Sequence, residues 1–233
     1  MYFDWTYVVL VMPAVLLSLW ASQRVNGTFN HYKKLRNRRG LSGAQAARFV
    51  LDSNGLSNIR IEHIAGSLTD HYDPEVQAIR LSDEVYNSTS CAAVGVACHE
   101  AGHAIQYAQD YAPVRIRAAI IPITNFGAKL AMPLIILGLL LSSFTPMFTW
   151  FAYAGLICFC LSTLFQLVTL PTEFDASRRA IACIEGGNLL QGEELDGAKR
   201  VLKAAALTYV AALAVSLMQL FRFILIFRSR DND

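Results

Sequence analysis

Charge is scarce in this chain, and it is unevenly spread. Only 16% of its 233 residues are Asp, Glu, Lys or Arg, against about a quarter in an ordinary soluble domain. None falls between Leu130 and Thr172. A net charge of +2, with no stretch that interleaves basic and aromatic residues, argues against a nucleic-acid partner. The five cysteines are odd in number and form no CxxC pair, which disfavours a disulfide framework or a thiolate metal site. They read as small buried residues, and nothing indicates an oxidising compartment. The first twenty residues lack a basic n-region and an A-x-A-like cleavage site, so the opening apolar run reads as an uncleaved anchor. Internal repeats and low-complexity tracts are also missing.

What is present is apolar sequence in blocks, 54% of the chain in all. Residues 5–21 are long enough to cross about 30 Å of hydrocarbon as a helix. The uncharged stretch from Leu130 to Thr172 is about twice the length of one crossing and must fold back. Its turn is predicted at Ser142-Ser143-Phe144-Thr145-Pro146, giving spans at 120–141 and 148–170. Lys129 either faces protein or snorkels, or else residues 115–129 lie at the interface. Residues 204–227 form a fourth run, with Arg222 near enough its end to snorkel. Basic residues crowd the segment after the first span (Arg24, Lys33, Lys34, Arg36, Arg38, Arg39) and recur between the third and fourth. By the positive-inside rule both segments are cytoplasmic; Arg228 and Arg230 disagree but are partly offset by Asp231 and Asp233. Residues 23–117 and 171–203 are therefore expected on the same side.

The first of these segments carries a small α+β pattern. Ser42 can cap a helix that ends at Asn54-Gly55. Residues 58–64 and 78–82 alternate as two strands, with Asp73-Pro74 as a turn signal between them. Ser88 or Ser90 can cap a further helix reaching about Gln109, its first half small, apolar and suited to close packing.

That last helix contains His99-Glu100-Ala101-Gly102-His103. Histidines four apart share one helical face and can share one Zn²⁺, and the intervening glutamate stands beside them to hold a water. Chance placement gives this pattern in about four of a thousand sequences of this composition. A catalytic zinc keeps three protein ligands and one open position, so a third donor is needed. The extended H-E-x-x-H-x-x-G-x-x-H motif fails, because Gln106 and Gln109 occupy its last two defined positions. His31, His63 and His71 are possible donors, but each reads more simply as a structural residue. Glu173 is better placed: it follows the third span, Pro171 and Thr172 give a helix start there, and the span hairpin returns that helix to the motif helix. Gly102 would let the second helix approach the metal face. Asp175 or Ser177 could hold a metal-bound histidine, and His71, Tyr72 or Arg178 could donate to a developing oxyanion.

A first span, Tyr72-Asp73-Pro74, Ile79-Arg80-Leu81-Ser82, Ala97 to Gln106 around the motif, a span hairpin and Leu170-Pro171-Thr172-Glu173-Phe174-Asp175-Ala176-Ser177 together resemble the YugP-type family of bacterial neutral zinc metallopeptidases. The likeness covers nearly the whole chain. More distantly the chain is similar to the HtpX and CAAX prenyl protease group. That resemblance implies zinc held by both motif histidines and by a glutamate opening a later E-x-x-x-D element, by position Glu173. Here Ser177, not Asp, stands four residues after it.

The expectation is thus a mainly α membrane protein with four transmembrane helices and a small α+β gluzincin-like zinc peptidase domain on the cytoplasmic side of a bacterial inner membrane. One Zn²⁺ per chain would be held by His99, His103 and Glu173. Glu100 would take a proton from a zinc-acidified water and return it to the leaving amine. Partners would be the bilayer and a protein or peptide substrate, membrane proteins included; small residues such as Ala204-Ala205-Ala206 and Ala211-Ala212 permit homo-oligomer contacts. If Ile79 to Ser82 is a sheet edge near the metal, it could pair with an extended substrate. Rival readings are an intramembrane-cleaving enzyme, disfavoured by Gln106, Gln109 and Asp110 after the motif, and a non-catalytic zinc-binding membrane adaptor.

Overall fold

A computed structural model describes residues 5–142 and 144–231. The chain is mostly helical with one small sheet, in the order α1 (Met12–Tyr32), α2 (Gly43–Ser53), β1 (Arg60–His63), β2 (His71–Asp73), β3 (Ala78–Leu81), α3 (Cys91–Ala108), α4 (Ala112–Leu141), α5 (Thr149–Gly186) and α6 (Glu193–Asp231). A π-helical turn, Tyr7–Val11, leads directly into α1, and a 3₁₀ turn, Pro146–Phe148, into α5. Four helices are long and apolar enough to cross a membrane: Tyr7–Tyr32, Ala112–Leu141, Pro146–Gly186 and Glu193–Ser229. The expected hairpin turn falls between α4 and α5, and its Ser143 lies outside the described residues, as does Asp233.

The chain divides into two compact units. The apolar unit comprises Met1–Trp20, Ile116–Leu170 and Tyr209–Asp233. Its helices meet where side chains are smallest: a Cβ added to Gly138 would lie 2.3 Å from the Ala152 backbone nitrogen, and one added to Gly155 would lie 2.7 Å from the Ala131 carbonyl oxygen. Lipid offers apolar side chains as good a solvent as protein does, so helices in it associate through such close packing and a few polar contacts. One of these is a 2.7 Å hydrogen bond between the hydroxyls of Thr163 and Ser216.

The polar unit comprises Ala21–Arg115 and Pro171–Thr208. Its core gathers Ala46, Ala47, Val50 and Leu51 of α2, Ile79 and Leu81 of β3, the small residues of α3, and Ile184, Leu189 and Leu190. Ser42 caps α2 as expected: its hydroxyl accepts from Gln45 N–H while its own N–H donates to Gln45 Oε1. Gly55 stands at φ +75° just beyond the helix, where a Cβ would be strained. Of the two serines expected to cap α3, Ser90 does so, accepting from Ala93 N–H at 3.1 Å.

Three expectations require correction. The sheet has three strands in the order β1-β3-β2, with β1 parallel and β2 antiparallel to β3. Residues 71–73, read as the approach to a turn, form β2, too short at three residues to show alternation. Being central, β3 has no free edge with which to pair a substrate. Arg80, in mid-β3, explains part of this pairing: it bonds Glu62 on β1 at 3.2 Å and Asp73 on β2 at 2.7 Å. Finally, Pro171 does not start a helix but lies inside α5, which runs unbroken from Thr149 to Gly186. Proline removes one backbone donor, and the rest of this 38-residue ladder carries the helix through.

Candidate metal centre

Two helices of the polar unit build the site. On α3, His99 and His103 are one turn apart, and their rings meet edge to face with centroids 4.7 Å apart. On α5, Glu173 points its Oε2 at both, 3.3 Å from His99 Nε2 and 3.5 Å from His103 Nε2. The approach depends on Gly102: a Cβ there would stand 2.6 Å from the carbonyl oxygen of Ala176 on α5. The role that the sequence suggested for this glycine is the one it fills.

The far side of each imidazole is also held. Ser177 Oγ, one of the two candidates for such a contact, lies 3.1 Å from His99 Nδ1. His103 Nδ1 lies 3.0 Å from Gln106 Oε1. Gln106 is fully buried, and its amide group donates to the Thr172 carbonyl at 2.8 Å and to Asp175 Oδ2 at 3.0 Å. Two acceptors on one side fix which end of the amide is nitrogen. Its oxygen therefore faces His103, so in the neutral imidazole Nδ1 carries the hydrogen and Nε2 the lone pair, and only the imidazolium has an Nε2–H to give Glu173.

Asp175 consequently touches no histidine; it holds Gln106, and it is itself held by Arg178 and by Arg179 Nε at 2.5 Å. Arg179 also donates to Gln109 Oε1 at 2.5 Å. Gln106 and Arg179 are the residues that sequence reasoning missed. In the sequence Gln106 excludes a longer motif and disfavours a site within the membrane, although its place three residues after His103 also puts it on the same helical face. Among the described residues, none of the remaining candidates joins His99, His103 and Glu173 in the ligand group. His71 is exposed on β2, its Nδ1 against the Thr69 carbonyl at 2.8 Å, and Tyr72 packs its ring 5.6 Å from that of Tyr107. His63 pairs with Asp83, and His31 stacks against Tyr32. Arg178 is spoken for by Asp175.

Electrostatics favour a cation at this point. Burial alone would raise the Glu173 carboxyl, but hydrogen bonds from His103 and His99 outweigh it and hold the acid well below the usual carboxylate range. Burial would likewise press the His103 imidazolium down, yet Glu173 and the nearby Glu100 carboxylate hold it above its ordinary value. Glu100 is itself buried. Two carboxylates in a shielded pocket call for positive charge, and a divalent ion would replace a proton as the source of it.

The donor set fits zinc. The ligand atoms of His99, His103 and Glu173 lie within 4.8 Å of one another. Two imidazoles and a carboxylate are the ligands of one class of catalytic zinc sites, and tetrahedral bonds of about 2.0–2.1 Å place ligand atoms about 3.3–3.4 Å apart, close to the two carboxylate–imidazole distances here.

Comparison with known proteins agrees with this arrangement. Residues 7–228 match the family described as "Putative neutral zinc metallopeptidase". The "Putative membrane protease YugP" of Bacillus subtilis (strain 168) is 42% identical over 228 residues, covering 97% of this chain and 99% of that protein. No solved structure shows significant similarity. The chain belongs to this zinc metallopeptidase family.

Proposed function

We propose that this family member is a membrane-embedded, zinc-dependent endopeptidase, with its site on the cytoplasmic face of a bacterial plasma (inner) membrane. His99 Nε2, His103 Nε2 and Glu173 would hold one Zn²⁺, which would supply Lewis acidity towards a water and towards the scissile carbonyl. Glu100 accepts the proton of the attacking water on its carboxylate and delivers it to the leaving amine. His103 is kept in its Nδ1–H form by Gln106, and Gln106 by Asp175 and the Thr172 carbonyl. Ser177 Oγ, 3.1 Å from His99 Nδ1, can accept from an Nδ1–H there, which would leave His99 Nε2 for the metal. Both rings are thus oriented ahead of metal binding.

The observation that carries this reading is the buried Gln106 bridge. An idle His-Glu cluster would have no need of a satisfied amide that dictates which histidine nitrogen is free. The cytoplasmic side rests on the basic residues that follow span one and precede span four. A polypeptide would approach as an extended strand, and β2, bonded only to β3 within its sheet, is an edge on which it could lie.

Metal content and casein cleavage of detergent-purified wild type, Glu100→Gln and Glu173→Ala test the proposal. Wild type should bind one zinc and cleave. Glu100→Gln should keep zinc and lose about 10²–10⁴-fold in rate, and Glu173→Ala should lose both. Full zinc and activity in Glu173→Ala would overturn the ligand assignment. A zinc-loaded wild type that cleaves neither casein nor a membrane-protein panel would favour the adaptor reading.

A further inference from the structure

Away from the metal centre, a cleft of about 640 Å³ opens within the polar unit between α1 and α6. Arg24, Arg200 and Lys203 line it together with Thr28, His31 and Tyr32, and no carboxylate is among its lining residues. Three cations gathered in one concavity repel one another, and an anion between them would offset that cost. Gly27, on α1, also lines the cleft. Glycine inside a helix costs about 0.5–1 kcal/mol relative to alanine, and close packing is the usual reason to keep one. Here a Cβ would meet nothing within 4 Å. Among the described residues nothing packs on that glycine, so its bare backbone leaves room in the cleft.

Position narrows what that is. Arg24 stands three residues past Ala21, where the first apolar run ends, and Lys203 directly precedes the run that begins at Ala204. The cleft therefore lies where two spanning helices leave hydrocarbon, the level of lipid headgroups. On α6, Lys203 also borders a second groove of about 410 Å³, floored by Phe174, Ile181, Leu202 and Ala206. A phosphate-bearing group with an apolar tail matches this pairing better than a free ion does.

We infer that the α1–α6 cleft binds the phosphate of an anionic ligand, with Arg24, Arg200 and Lys203 as its cationic partners and Thr28 as a hydroxyl donor, and that a membrane phospholipid headgroup supplies it. The test uses the full-length chain in mild detergent, with bound lipid counted by native mass spectrometry during titration with phosphatidylglycerol, phosphatidylcholine or inorganic phosphate. Wild type should take one phosphatidylglycerol about tenfold or more tightly than phosphatidylcholine. Arg24→Gln/Arg200→Gln/Lys203→Gln should abolish that preference. Gly27→Trp, which fills the cleft but keeps every charge, should abolish it too while retaining wild-type zinc content, and that retention separates lost binding from misfolding. Wild type itself supplies a further arm: if millimolar inorganic phosphate displaces phosphatidylglycerol, the phosphate site stands and its source is soluble. Equal affinity for both lipids in wild type, or an undiminished preference in the folded Gly27→Trp protein, would overturn the inference.

Discussion

Both units of this protein bring helices into backbone contact through glycine, but to different ends. In the apolar unit, Gly138 and Gly155 admit Ala152 and Ala131 so that α4 and α5 can pack in a solvent that gives apolar side chains no reason to leave it. In the polar unit, Gly102 admits Ala176 so that a carboxylate on α5 can reach two imidazoles on α3. The first contact holds a shape; the second sets interatomic distances at a site. Polar groups divide the same way. Thr163 and Ser216 form a single hydroxyl bond in the apolar unit, whereas Gln106 is one link in a chain running from Arg179 through Asp175 to His103.

The strongest way to break the comparison is to swap its glycines for valine. Gly102→Val should push α5 from α3 and abolish zinc binding in protein that remains membrane-inserted, as read by metal analysis per folded chain. Gly155→Val should lower the thermal midpoint, an overpacking cost of about 1–3 kcal/mol, while leaving zinc stoichiometry at the wild-type value. Loss of zinc in both would mean that the metal site has no independence from span packing.

A smaller effect is expected from the polar links. Gln106→Leu leaves Asp175 and the Thr172 carbonyl without their buried donor and frees His103 to change tautomer. Its zinc affinity, measured by chelator competition, should fall about 10–100-fold. Thr163→Val in the apolar unit removes one interhelical hydrogen bond, and about 0.6 kcal/mol of stability is the expected loss, with zinc affinity unaltered.

Cysteine labelling gives the mildest contrast. Cys91 is buried and its thiol is pushed up to about 11 by burial, and Cys98 is shifted upward by the same cause. Neither should react with a hydrophilic maleimide at pH 8 until urea opens the polar unit. Cys160 is exposed on α5 within the span expected at 148–170. In liposomes it should stay unlabelled with or without urea, because lipid rather than protein covers it. Labelling of Cys160 in intact liposomes would place that stretch in water.

Much of the site is legible in the amino-acid sequence because its logic is local. Two histidines four apart on a helix share a face by helical geometry alone, Ser90 announces that helix, and Gly102 betrays an approaching neighbour. The apolar runs are legible for a similar reason, since hydrocarbon thickness sets a length that sequence can be counted against. Glu173 comes into view only through the order of the spans, and Ser177 only as one of two options. Out of reach are the relations that depend on which surfaces meet. No periodicity marks a three-residue strand, so β2 and the central place of β3 escape a reading of the sequence, which leaves β3 open as a sheet edge. Pro171 promises a helix start because proline removes a donor, yet the turns on either side carry α5 through it.

What the sequence determined by itself is a chain with helices long and apolar enough to cross a membrane and a helix that sets two histidines on one face, since both follow from spacing along one backbone. Only the tertiary structure decided that Asp175 acts on Gln106 rather than on a histidine, and that Gln106 faces His103 with its oxygen. Those choices follow from where Thr172 and Asp175 sit on α5 once Gly102 has let it in, and hydrogen-bond direction depends on position in space.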